Sequence, residues 1–383
     1  MAPRLDRLVS GIAISLVVST FQRLPTLRRS LPTLLAQDLD PGSFEILVVV
    51  DGSTDGTLEH LAGVAADIPR DAAARPLVTL RVIRQENRGL AAARNRGARE
   101  ARGRIVLWLD DDAHASPQLA RAHLRRHEEP SGGERVVTGP FPLWAESRRS
   151  FLSAGVGRWA DELAGRLAGP GYRLRFTDCC FANASLPRSL WERTGGFDEG
   201  FRRFGNEDYD FGLRLTGAGV EFAFEPDALA AQDYGKDFAA WLRDWRDIGR
   251  ADIALWRRHP AIEADLAFAR IEAAHPLRRV ALSAGLNGSR SVEAALAPVR
   301  AALAAADRAG LTSGLWDRLK WLPADFVYGL GVRDALTKAA ADPAGAGAES
   351  VPPSLRGRFS LPDHPDSARD GIQSKEGDGA RGT

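Results

Sequence analysis

Residues 103–119 read GRIVLWLDDDAHASPQL, an apolar run that ends in three consecutive carboxylates. Ile105, Val106, Leu107, Trp108 and Leu109 are β-branched, aliphatic and aromatic with no polar alternation, the pattern of a strand covered on both faces. Asp110, Asp111 and Asp112 fall where that strand leaves the core. Adjacent like charges repel, and burying unpaired carboxylates is costly, so the triplet calls for positive charge. A solvated acidic turn, ahead of a helix starting in SPQLARAHLRRH, is the plain alternative. The flanking segments decide between the two.

Upstream, GIAISLVVST, FEILVVV and LVTLRVIRQ read as strands, each followed by a helical segment. Leu24, Leu27, Leu31, Leu34 and Leu35 recur at helical spacing. Pro25 suits a first helical turn, whereas Pro32 predicts a kink or a break. Thr54 or Asp55 is expected to cap the helix after DGSTDGT. GLAAARNRGAREA is a helix of small residues. Strands alternating with helices predict a parallel sheet built from right-handed crossovers, and such sheets bind ligands beyond the carboxyl ends of their strands. Three polar clusters fall at those ends: Ser19 to Arg23, Asp51 to Ser53, and Asp110 to Asp112. Their convergence is not what a solvated turn predicts.

Downstream, residues 134–235 are less regular. RVVTGPF and VEFAFEP read as strands, and SLPRSLWERTGGF as a short helix ending at Gly195-Gly196. Glu207, Asp208 and Asp210 open a further helix, where the helix dipole alone favours acidic residues. From Asp237 the chain reads as helical, with Phe238, Trp241, Trp245 and Ile248 on one face. Packing against the preceding domain is expected of that face, with peripheral membrane contact as the second reading. Beyond residue 342 the composition turns rich in Pro, Gly, Ser and charge, which predicts disorder.

The 383 residues are 44% hydrophobic and 26% charged, an ordinary globular composition. A net charge of +1 excludes strong electrostatic attraction to nucleic acid. The two cysteines, Cys179 and Cys180, are adjacent and cannot staple distant segments. They read as small buried hydrophobes in a reducing cytoplasm. The N-terminus resembles a signal peptide, but Asp6, Ser10, Gly11 and Ser15 interrupt its apolar run. No run reaches the roughly 20 apolar residues of a membrane span. The expected location is cytoplasmic.

A divalent cation answers the repulsion within Asp110 to Asp112. Mg²⁺ and Mn²⁺ take oxygen ligands, commonly one or two carboxylates plus substrate phosphates. Asp51 is suited to a base or ribose, and Arg88 to neutralising phosphate. No glycine-rich phosphate loop of the dinucleotide or P-loop type follows any of these strands.

The segments ISLVVSTFQR, FEILVVVDGSTDGT, ENRGLAAARNRGA, GRIVLWLDDDA, FANASLPRSLWERTGGFDEGFRRFGNEDYDFGLRL and VEFAFEPDALAAQ, in this order and spacing, resemble the family 2 glycosyltransferases of GT-A fold. The likeness runs from about Ile12 to Gln232. It implies an α/β, Rossmann-like nucleotide-sugar-binding domain with a mostly parallel central sheet over residues 1–236. A helical region at 237–341 and a tail at 342–383 follow. It also implies a nucleotide-diphosphate sugar donor, a divalent metal, and inverting transfer to the hydroxyl of a glycan, lipid-linked or small-molecule acceptor. The metal-binding D-x-D falls on Asp110 and Asp112. The donor site falls on Thr20, Asp51 and Arg88, with Ser19, Phe21, Arg23 and Asp111 beside them. The catalytic base falls on Asp208, in a pair with Glu207.

Three positions depart from the family pattern. Ser19 stands where proline is common, and Val50 where a first aspartate is common. Gln232 stands where a histidine often closes the metal site, so metal is expected to bind weakly without donor. Two readings of other classes remain beside this one: a nucleotidyltransferase, which usually carries a glycine-rich N-terminal loop absent from VVSTFQRLPTL, and a non-catalytic binder of sugar nucleotides.

Overall fold

The computed structural model describes residues 11–71, 77–130, 134–147, 149–178, 180–340 and 351–358. Its strands are β1 (Ile14–Thr20), β2 (Phe44–Asp51), β3 (Thr79–Gln85), β4 (Ile105–Asp110), β5 (Ala113–Ala115), β6 (Arg135–Thr138), β7 (Asn183–Pro187), β8 (Glu221–Phe224) and β9 (Ala230–Gln232). Helices α1 (Leu24–Leu35), α2 (Thr57–Asp67), α3 (Leu90–Glu100) and α4 (Leu119–Glu128) alternate with the first strands. Helices α5 (Phe151–Leu167), α6 (Arg188–Thr194) and α7 (Glu207–Gly217) belong to the middle of the chain. Then follow α8 (Phe238–Arg258), α9 (Ala267–Glu272), α10 (Pro276–Leu286), α11 (Arg290–Arg308), α12 (Gly314–Leu319) and α13 (Trp321–Ala340).

Among the described residues one seven-stranded sheet has the order β3-β2-β1-β4-β7-β6-β8. β1 pairs in parallel with β2 and β4, β2 with β3, and β6 with β8; only the β7 pairings are antiparallel. The sheet is therefore mostly parallel, as expected. The chain winds outward from β1 to β3, then returns to place β4 on the other side of β1. This reversal opens a crevice beyond the ends of β1 and β4, where Ser19 lies opposite Asp110.

Both faces of the sheet are covered. Leu16, Val18, Ile46, Val48 and Leu107 pack beneath Leu27, Leu31 and Leu34 of α1. Val17, Leu47, Val49 and Trp108 pack on the other face, against the alanines of α3. That approach requires a small residue: a Cβ at Gly97 would sit 2.2 Å from Val17 Cγ1. Glu45, fully buried at the start of β2, ties three strands together. Its Oε1 accepts from Ser15 Oγ and Arg102 N at 2.7 Å each, and its Oε2 from Arg81 Nη1 at 3.0 Å.

Several sequence expectations need correction. α1 runs unbroken through Pro32. Ser185, Leu186 and Pro187 end strand β7 rather than begin a helix, which starts at Arg188. The short strands β5, β7 and β9 and helix α5 were not anticipated. The Trp stripe of α8 is not a free surface: Trp241 and Trp245 lie 5.9 and 5.4 Å from the Trp321 ring of α13. Residues 237–341 also share a core with the preceding part, since Phe151, Leu152 and Tyr234 pack with Phe238, Leu303 and Phe326. Within the tail expected to be disordered, residues 351–358 pack instead. Leu355 is buried and Arg358 pairs with Glu272 at 2.9 Å. Residues 341–350 and 359–383 lie outside the described residues. No described helix is long and apolar enough to cross a membrane.

The buried Glu45 hub generates the first prediction. Glu45→Ala removes the acceptor of Ser15 Oγ and Arg102 N and leaves Arg81 only its bonds to Glu100, and should cost on the order of 3 kcal/mol, as removal of one member of a buried ion pair does. Urea unfolding checks it through a lower midpoint with an unchanged slope.

Candidate active site

The acidic triplet leaves β4 at the crevice and meets two arginines. The first is Arg23, which precedes α1. Its Nη1 lies 3.2 Å from Asp111 Oδ1, and its Nη2 donates to Asp112 Oδ2 at 2.9 Å. Thr20 Oγ1 donates to the other Asp111 oxygen at 2.7 Å. The second is Arg94 of α3, 3% exposed. Its Nη2 donates to Asp110 Oδ1 at 3.0 Å, and its Nη1 to Asp208 Oδ1 at 2.6 Å and Glu207 Oε1 at 3.1 Å. One guanidinium thus joins the end of β4 to the first turn of α7.

Arg94 is held from below by aromatic rings. Its carbonyl accepts from Trp108 Nε1 at 3.2 Å, and its guanidinium carbon stands 5.4 Å from the centroid of Phe197. Trp108, Phe181 and Phe197 meet edge to face, with centroids 5.0–5.6 Å apart. The buried face of α3 therefore presents a fixed cation on an apolar floor. Sequence reading missed Arg94, yet a signal was present. Arg94 lies three residues after Ala91 and four before Ala98, in phase with the buried stripe of its helix.

Asp208 keeps a partly open side chain, 17% exposed, whereas Glu207 is 8% exposed. Phe181 N donates to Asp208 Oδ2 at 3.1 Å. Burial raises the pKa of both carboxyls against the pull of Arg94, and for Glu207 the neighbouring Asp208 charge adds to the rise, to about 7. Burial likewise lifts Asp111 to about 7, with Arg23 opposing. Cys180 lies near enough for the charges of Asp208 and Asp110 to add to burial, so its thiol is pushed far up and is no nucleophile. Cys179 lies outside the described residues.

At the end of β2, Asp51 serves its own loop. It accepts from Gln85 Nε2 at 2.7 Å and from the amides of Arg88 and Gly89 at 2.9 Å each. The Arg88 side chain lies on the surface in an ion pair with Glu199 at 2.9 Å, turned from the acidic triplet's arginines to a different carboxylate. Phe21 is 46% exposed at the crevice mouth. Ser19 Oγ is buried without a hydrogen-bond partner. Asp55, expected as a cap, receives Thr57 N at 3.3 Å and also Leu24 N at 2.9 Å, so it fastens the start of α1.

Gln232 ends β9 and pairs with Ala113 across the β5–β9 ribbon. Just beyond that last pair, Asp233 N donates to Asp112 O at 2.9 Å, so the end of β9 is fastened beside the acidic triplet. Asp112 Oδ1 is buried and has no hydrogen-bond partner, and the neighbouring donors are hard oxygens; both features fit Mg²⁺ or Mn²⁺. Among the described residues no three His, Cys, Asp or Glu side chains are arranged to hold a metal by themselves.

Comparison with known proteins agrees with this geometry. The family model described as glycosyl transferase family 2 matches residues 15–189, from β1 through β7. These residues are a family 2 glycosyltransferase domain. A second model, described as the N-terminal domain of galactosyltransferase, matches residues 163–234. The validoxylamine A glucosyltransferase of Streptomyces hygroscopicus subsp. limoneus is 31% identical over 229 residues, 54% of this chain and 48% of that protein. An uncharacterized glycosyltransferase of Bacillus subtilis, YfnE, is 27% identical over 260 residues, 56% of this chain and 63% of its own length. The chain thus spans about half of one relative and less than two thirds of the other. Among solved structures, the mannosyltransferase PcManGT from Pyrobaculum calidifontis, in complex with GDP-Man and Mn²⁺, aligns with a TM-score of 0.54. That alignment covers 85% of this chain and 88% of that one at 21% identity. The shared fold is GT-A.

In the family 2 domain Arg94 is the piece that a conservative change would disturb most. Arg94→Lys keeps the charge but not the fork, and one ammonium cannot hold Asp110 and Asp208 in register. The variant should fold and lose glycosyl transfer by about 10²-fold, the scale of a misplaced catalytic group. Single-turnover rates beside a circular dichroism spectrum check both halves.

Proposed function

We propose that this protein transfers a glycosyl group from a nucleotide-diphosphate sugar to an acceptor hydroxyl with inversion at the anomeric carbon. One observation carries the reading: Arg94 sets a donor-side carboxylate, Asp110, and an acceptor-side carboxylate, Asp208, on either side of one buried guanidinium at the sheet's crevice. The family match, and the GDP-Man and Mn²⁺ bound in the Pyrobaculum protein of like fold, support the donor class and the metal.

In this reading Asp110 and Asp112 hold a divalent ion together with the donor's diphosphate, and the ion's chemistry is to neutralise the leaving group. Thr20 keeps Asp111 in place, and the Asp51 loop shapes the nucleoside side. Asp208 takes the proton of the acceptor hydroxyl on a lone pair that Arg94 and Phe181 leave open. The hydroxyl oxygen bonds to the anomeric carbon as the bond to the diphosphate oxygen breaks on the opposite face. Burial, with the neighbouring charge of Asp110 adding to it, keeps the base's proton affinity raised against the pull of Arg94. The sugar, the base of the nucleotide and the acceptor are open to a screen of nucleotide sugars with and without metal.

Two substitutions test the assignment. Asp208→Asn should leave donor binding intact and slow transfer by roughly 10²–10⁴-fold, the usual loss with a general base. Equal rates would leave Asp208 as a mere helix cap, a role Asn also fills. Asp112→Asn should abolish metal-dependent turnover while the protein stays folded, measured by donor consumption across a Mn²⁺ titration.

The pH profile gives a separate check. A base must be deprotonated, so raising its pKa moves the acidic limb upward. Burial raises both Glu207 and Asp208. The transfer rate should therefore begin to fall above the ordinary carboxylate range as pH decreases, and a limb within that range would contradict the buried pair.

A further inference from the structure

Asp111 and Asp112 are each 4% exposed, and they are not equally served. Asp111 has Thr20 on one oxygen and Arg23 on the other. Asp112 has Arg23 on Oδ2 and nothing on Oδ1. Arg23 therefore supplies the compensating charge that a metal would otherwise bring. Its backbone is fixed, because Arg23 O accepts from the amides of Thr26 and Leu27 at 3.0 Å each. Its side chain is different: 36% exposed, and its ion pairs among the described residues are with these two carboxylates. The guanidinium is thus a movable cation on a fixed hinge at the crevice mouth.

A guanidinium and a divalent ion repel, and both cannot hold the same carboxylate closely. A guanidinium fork also matches phosphate oxygens, so a bound diphosphate offers Arg23 a new partner. We propose that Arg23 is a stand-in cation. It neutralises Asp111 and Asp112 while no metal is bound, yields Asp112 when metal and donor arrive together, and turns onto the donor's diphosphate. This rests on the donor-site reading above and adds to it a built-in competition. Metal alone must displace Arg23 without giving it a partner, whereas metal with nucleoside diphosphate gives it one. Linkage then makes each tighten the other by the same factor.

The test is calorimetric and needs no turnover. Mn²⁺ alone is titrated into the wild type and Arg23→Gln, followed by UDP or GDP at saturating Mn²⁺. Two shifts of opposite sign are expected: Arg23→Gln binds Mn²⁺ alone about tenfold or more tightly, and the diphosphate about tenfold or more weakly. Shifts in the same direction, or none, overturn the stand-in role. A wild type that takes up neither diphosphate with Mn²⁺ overturns the donor-site reading itself. If Arg23→Gln does not fold by circular dichroism, Arg23→Lys carries the same test. Its ammonium reaches one carboxylate at a time, so both shifts keep their signs at smaller size, and their absence is equally decisive.

Discussion

The buried guanidinium of Arg94 is the constraint on which the site depends. Asp110, Glu207 and Asp208 come from parts of the chain about a hundred residues apart, and each would repel the others at this distance without it. Burying a charge so deeply is costly, and three carboxylates with an aromatic floor offset that cost. The arrangement also couples the two halves of the site. Whatever draws charge from Asp110 changes what Arg94 offers to Asp208. The end of β4 and the first turn of α7 are therefore electrostatically continuous.

The sheet makes this meeting possible. β1, β2 and β4 deliver their polar clusters to one end because they run parallel, and the return of the chain beside β1 opens the crevice between Ser19 and Asp110. β7 then runs antiparallel against β4 and brings Phe181 and Cys180 alongside the same opening. The close seating of α3 on β1, through Gly97 and the alanines, sets the depth at which Arg94 can reach all three acids.

Most of this was legible in the residues. The uninterrupted apolar runs of β1, β2 and β4 declare strands buried on both sides, and the polar clusters after them declare the crevice. What was not legible depends on cross-chain register. Short strands such as β5 and β9 carry too few residues for a period, and only their pairing shows that Gln232 lies opposite Ala113 and that Asp233 is tied to Asp112 through the backbone. The chain also conceals which cation meets which acid. Arg88 and Arg94 lie six residues apart, but Arg88 belongs to the loop before α3 and pairs with Glu199 at the surface, whereas Arg94 lies within α3 and meets the buried carboxylates. Pro32 misled because tertiary packing of Leu27, Leu31 and Leu34 outweighs a single lost helix bond.

Asn206, immediately before α7, adopts a left-handed backbone with φ of 66°, and its side-chain amide donates to Asp252 Oδ1 of α8 at 2.6 Å. The other oxygen of Asp252 accepts from Tyr328 of α13 and from Ala267 N. Asp208 follows Asn206 by two residues. The helices after residue 237 are therefore part of the framework that holds the turn before Asp208, although they lie beyond the segment matched by the family model. Modular exchange, in which a catalytic domain acquires a new acceptor by trading the region behind it, would here carry a hidden condition. A transplanted helical region would have to bring its own grip on the turn at Asn206, or the exchange would move Asp208 as well.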